Sequence, residues 1–370
     1  MVLLQLNKNY DDLFKQFEEA RSILLERNVS VSDKIKAAKT FFALVSIVED
    51  LRDVKYSPEY IEELIDSDVI DFIFDQNVDE RNNFLQNKSR HLKFLYRGYQ
   101  SLGLWMEDLD DRLLSVSEEF FQEGDDKKFL QEFFSSCPEV FRAYQDASER
   151  GEIYPLFPFL TMEGLTVFNL VRGTSCAFVK EENKSFSDLA TVPHEIGHVI
   201  DFSKSLDGQV SLEFDLFREV LSNYYEQQFL FTFFEQGNDK AYLSLLHYYS
   251  KYLKILQEGY YLANLSSSSL EEHFLNPSLM FMLEKELIRD GLLSEDEMTY
   301  SDRLVDFDVS MMYSYGFLLS TYLLDHPDKL DGFMKLRNEK FGFLGLEDIG
   351  ITPLSISESI DRRCGKVFSK

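Results

Sequence analysis

Apolar residues recur at helical spacing along most of this 370-residue chain, and one stretch breaks the rhythm. Over Tyr10 to Arg27, Leu13, Phe14, Phe17, Ala20 and Leu24 fall on one side of a helix. Ser32 to Val54, Pro58 to Phe74, Asp79 to Leu102 and Ser117 to Phe134 read the same way. So do Ser211 to Gln236, Lys240 to Leu256, Ser267 to Asp290, Leu304 to Leu324 and Pro327 to Lys340. Eight prolines and 17 glycines supply too little turn chemistry for an all-β chain of this size. The break lies at Gly151 to Lys180. There Leu165 to Val171 and Ser175 to Val179 are β-prone runs separated by Arg172-Gly173-Thr174, a pattern that predicts a hairpin or small sheet. The fold class expected is mainly α with one small sheet.

Directly after that sheet comes His194-Glu195-Ile196-Gly197-His198. Residues four apart share a helix face, so both imidazoles can converge on one cation. Glu195 lies about 100° around the helix from His194, close enough to take a proton from water on the metal. Two histidines and a carboxylate in this pattern suit a zinc hydrolase, with Glu195 as general base. The plainer alternative is a pair of surface histidines. Ser185 to Leu189 carries capping residues for a helix start, and Ala190 to Phe202 continues it. Pro193 is tolerated at no cost only in a first turn, where its missing N–H has no partner to lose.

A two-histidine zinc site needs at least one further protein ligand. Asp201, Asp207, Glu213, Asp215, Glu219, Glu226 and Glu235 qualify by position, in a chain with 65 acidic residues. On the helix expected over Ser211 to Gln236, Asp215, Glu219, Ser222 and Glu226 form one polar stripe on an otherwise apolar surface. Glu219 and Glu226 rank first, one to bind metal and the other to orient a ligand histidine. The competing reading of the stripe is the helix's solvated side.

Hydrophobic residues make up 44% of the chain and aromatics 15%, enough for a sizeable core. A formal charge of −27 argues against nucleic acid and anionic membrane surfaces as partners. Cys137, Cys176 and Cys364 are odd in number and far apart, which fits a reducing compartment rather than a disulfide framework. No apolar run reaches membrane-spanning length and the first residues lack a signal-peptide pattern, so a cytoplasmic location is expected.

Asp188 to His198 resembles the metal helix of the oligoendopeptidase F and thimet oligopeptidase family of zinc metallopeptidases. Phe217 to Glu226 is similar to that family's second metal helix. The resemblance implies Glu219 as the third zinc ligand and Glu226 as the acidic residue that supports a ligand histidine. It also implies a zincin-like (gluzincin) fold with the sheet beside the metal helix, one Zn²⁺ per chain and a peptide substrate. More loosely, Tyr99 to Leu104, Leu109 to Asp111 and Arg150 to Pro155 look like segments leading to the family's active-site sheet. Met312 to Phe317 is similar to its Tyr-x-x-Gly helix, which makes Tyr313 and Tyr315 candidate oxyanion donors. The resemblance runs from about residue 90 to the end. It implies a helical cap or channel wall over 1–90 and the metallopeptidase region over 91–370.

Departures accompany it. The chain is shorter than typical members, Leu160 to Gly164 replaces a basic segment, and Arg303 to Met311 contains no His or Tyr. The expected function is zinc-dependent endoproteolysis, most simply of oligopeptides. The alternatives are a non-catalytic peptide-binding protein on a peptidase scaffold and a specialised protease for one protein substrate. A peptide is expected to lie extended along an open edge of strands 165–179, beside the metal.

Overall fold

The computed structural model describes residues 10–65, 67–106, 127–156, 164–180, 186–204, 216–264, 301–339 and 342–369. Among these the protein is mainly helical with one three-stranded sheet. Helices α1 (Asp11–Leu25), α2 (Val31–Arg52) and α3 (Pro58–Leu64) are followed by the long α4 (Ser67–Met106). After α5 (Lys127–Ser136) and α6 (Pro138–Glu149) come strands β1 (Ile153–Pro155), β2 (Gly164–Asn169) and β3 (Thr174–Val179). Helices α7 (Phe186–Lys204), α8 (Val220–Glu235), α9 (Asp239–Asn264), α10 (Ser301–Asp325), α11 (Leu330–Arg337) and α12 (Pro353–Phe368) complete the order.

The sheet runs β1-β3-β2, with β1 parallel and β2 antiparallel to the central β3. Period-two alternation gives its faces different partners. Tyr154, Val167, Cys176 and Phe178 face a core built from α1 and α2, with Leu13, Phe17, Ala37, Phe41 and Leu44. Ile153, Ala177 and Val179 face the larger core that includes α7 and α8. Polar links fix the first interface. Asn169 Nδ2 donates to Gln16 Oε1 at 2.8 Å, the Leu170 N–H donates to Thr40 Oγ1 at 2.9 Å, and Arg172 pairs with Glu19 at 2.6 Å and Asp12 at 3.2 Å. The N-terminal helices therefore cover the sheet face opposite α7.

Expected boundaries shift where punctuation is weak. Pro58 to Phe74 and Asp79 to Leu102 become the short α3 and one continuous α4, because the residues between them include no Gly or Pro to stop a helix. The division expected between 90 and 91 therefore falls inside α4. Helix α12 was not anticipated, although Thr352 and Ser355 form a capping box and Pro353 occupies the first turn. Helix α6 was also missed. The expected helix over 267–290 and the first part, 117–126, of the one expected over Ser117 to Phe134 lie outside the described residues. Cys137, Cys176 and Cys364 are all free and buried. Among the described residues no helix is long and apolar enough to cross a membrane.

Candidate metal centre

Helix α7 carries His194, Glu195 and His198, and its packing against α8 brings Glu219 to them. Gly197 permits the contact. A Cβ there would come within 2.6 Å of Ser222 Cα and 2.8 Å of the Leu221 carbonyl oxygen, so only a bare α-carbon lets the backbones approach. Pro193 sits well inside α7 rather than in its first turn, which leaves the Leu189 carbonyl without its usual i+4 donor. The expected Ser211 to Gln236 helix also starts later. Residues 216–219 form a turn and Glu219 is the N-cap position of α8, at φ −87° and ψ 1°. Residues 211–215 lie outside the described residues.

The ligand atoms converge. His194 Nε2 lies 3.4 Å and His198 Nε2 3.5 Å from the same oxygen, Glu219 Oε2. His194, His198 and Glu219 form a buried group, with ligand atoms all within 4.8 Å of one another, that could hold a metal ion. Glu226, seven residues after Glu219 on α8, accepts from His194 Nδ1 at 2.8 Å. That bond keeps a proton on Nδ1, so Nε2 is the nitrogen directed at Glu219 and the shared centre. Among the described residues, His198 Nδ1 has no hydrogen-bond partner.

The electrostatics favour positive charge at this point. Burial works against the His194 cation, but hydrogen bonds to Glu219 and Glu226 and their charges outweigh it, and its pKa rises well above the ordinary value. Burial likewise opposes the Glu219 anion. His198 and His194 overcome it and hold that carboxyl well below the usual range. Glu195 goes the other way, its pKa raised by burial despite the nearby histidines and a bond from Thr166.

Strand β2 grips Glu195. Thr166 Oγ1 donates to Glu195 Oε2 at 2.6 Å and lies 3.2 Å from the Glu195 carbonyl oxygen. A Cβ on Gly164 would collide with Glu195 Oε1, so a side chain at that position would evict the carboxylate. The sheet thus touches the His194-to-His198 motif directly. Among the described residues, β2 has a strand partner on one edge only.

The other acids divide clearly. Asp201 pairs with Arg337 of α11 at 3.2 Å, both side chains buried, and Glu235 pairs with Lys366 at 3.3 Å on the surface. Asp207, Glu213 and Asp215 lie outside the described residues. Tyr315 is hydrogen-bonded to α4. It is fully buried and its hydroxyl meets His91 Nδ1 at 2.8 Å, so it has no surface to offer a substrate. Tyr313 is half-buried, its ring 6.0 Å from Lys251 Nζ. Nothing in the residue types of Thr166, Gly164 and Asn223 singles them out within the segments that contain them. Gly197 did carry a signal, since an interior helical glycine costs about 1 kcal/mol against alanine unless close packing needs it.

Comparison with known proteins finds no family model, no curated protein and no solved structure that matches this chain.

Proposed function

We propose that this chain is a zinc-dependent endopeptidase of zincin-like architecture that hydrolyses peptides, with Glu195 as general base. The carrying observation is the convergence of His194 Nε2 and His198 Nε2 on one oxygen of Glu219, at 3.4 and 3.5 Å. Ligands about 2.0–2.1 Å from a tetrahedral zinc ion stand about 3.3 Å apart, which the two histidine-to-Glu219 distances match, and all three ligand atoms lie within 4.8 Å of one another. The donor set also suits zinc better than calcium or magnesium, which prefer oxygen. Bound there, the ion would polarise the scissile carbonyl and make water more acidic.

The remaining work falls to the protein's own groups. Glu226 keeps His194 in the tautomer that presents Nε2. Glu195 takes a proton from the attacking water and passes it to the leaving amine. The edge of β2 that has no strand partner among the described residues offers backbone N–H and C=O groups to an extended peptide next to Glu195. Tyr313, three residues before the glycine that packs on Glu219, is the remaining candidate donor to the oxyanion.

The test is cleavage of a mixed peptide library by the purified protein, with and without a chelator, beside Glu195→Gln. Wild type is expected to cleave and to lose activity on chelation. The variant is expected to keep its fold and metal content and to lose at least about a hundredfold in rate. Chelator-insensitive cleavage, or wild-type rates in Glu195→Gln, overturns the mechanism. Peptide binding without cleavage favours the non-catalytic alternative.

A further inference from the structure

We infer that Asn223 is the positioning residue for Glu219, and that Tyr248 and Tyr252 act through it; this rests on the reading of His194, His198 and Glu219 as metal ligands. Asn223 is fully buried in the first turn of α8. Its side chain lies 2.7 Å from the Glu219 carbonyl oxygen, which can only accept, so the atom facing it is the donating Nδ2. That orientation turns Oδ1 towards α9, where it accepts from the Tyr248 hydroxyl at 2.8 Å and from the Tyr252 hydroxyl.

The arrangement matters because of where Glu219 sits. It is the N-cap of α8: its carbonyl accepts the first bond of the helix, from the Asn223 N–H at 3.1 Å, and its side chain caps nothing. The position of its carboxylate over α7 therefore depends on what holds its backbone. Ser222 Oγ contributes, donating within 3.0 Å of the Glu219 carbonyl oxygen and 3.1 Å of Oε2. Across the contact, Gly316 of α10 has no side chain. A Cβ there would come within 2.6 Å of Glu219 Cβ and 2.7 Å of Asn223 Nδ2. Glu219 is thus wedged between the bare backbone of α10 and an amide that α9 holds from the other side. An apolar residue of similar volume would fill the space and leave two buried hydroxyls and a carbonyl without this link.

Metal affinity separates positioning from plain support of the fold, because it is read on molecules already folded. Zn²⁺ affinity is measured by competition with a chelating dye, and Co²⁺ is added to metal-free protein to read its visible absorption. Asn223→Leu is expected to bind Zn²⁺ roughly 10–100-fold more weakly, in line with losses of groups that hold a metal ligand. Its Co²⁺ spectrum is expected to shift towards that of Glu219→Gln. Tyr248→Phe and Tyr252→Phe leave the amide in place and are expected to weaken binding several-fold, with each effect lost in the Asn223→Leu background. Should Asn223→Leu fail to fold, these two single variants decide. Wild-type affinity and spectrum in the folded variants overturn the role of Asn223 alone. A wild-type protein that takes up neither ion at one per chain overturns the metal reading beneath it.

Discussion

Glu195 owes its position to two atoms of a neighbouring strand, the Thr166 hydroxyl and the unsubstituted α-carbon of Gly164. A hydrogen bond to a charged group is worth about 1.5–3 kcal/mol, and tenfold in rate corresponds to about 1.4 kcal/mol. Thr166→Val keeps the side chain's shape and removes the donor. Steady-state kinetics should show kcat reduced roughly tenfold with KM and zinc content unchanged, and Thr166→Ser should restore the rate. An unchanged kcat in Thr166→Val would mean that the carboxylate is held by packing alone. His194 and His198 were legible as a pair because their spacing is local and helical. Thr166 was not, since its part depends on strand parity and on which sheet face meets α7.

At the scale of elements, the centre is a contact between α7 and α8 that Gly197 allows. Gly197→Ala would drive a methyl group into the backbone of Leu221 and Ser222, and neither can swing aside as a flexible side chain would. Overpacking of this kind costs about 1–3 kcal/mol. Denaturant unfolding should report a loss of that size, and dye competition should report weaker zinc binding, because the helices that carry the ligands are pushed apart. Full stability and full affinity together would show that the contact is looser than the geometry requires. The long amphipathic helices were readable because their period repeats over many turns. The start of α8 was not, because no capping side chain marks it, and the three-residue β1 pairs with partners 24 residues further along the chain, Ile153 with Ala177.

Among the described residues of the whole molecule the sheet lies between two helical layers, and the larger core contains a histidine that cannot charge without cost. His91 is fully buried, stacked on Phe343 at 3.9 Å and Phe84 at 4.5 Å, with Nδ1 on the Tyr315 hydroxyl. Burial, helped by the Arg90 charge, pushes its pKa down to about 3. The unfolded chain titrates this group near pH 6.5, so below that pH it binds a proton the folded chain refuses. The His91 contribution is therefore complete above about pH 6.5 and declines as pH falls towards 3, by about 2 kcal/mol at pH 5. Urea unfolding of metal-free protein at pH 7.5 and pH 5 should show wild type losing more stability than His91→Gln by about that amount. Equal losses would mean that another group governs the acid limb.

The central claim is that one zinc ion sits between α7 and α8, and anomalous scattering at the zinc edge from crystals of the purified protein tests it most directly. The expected result is a single strong peak per chain, about 2.0–2.2 Å from His194 Nε2, His198 Nε2 and a Glu219 carboxylate oxygen, with Glu226 bonded to His194 and off the metal. No peak at this position, or a peak ligated by Glu226 or Asp215 in place of Glu219, would contradict it.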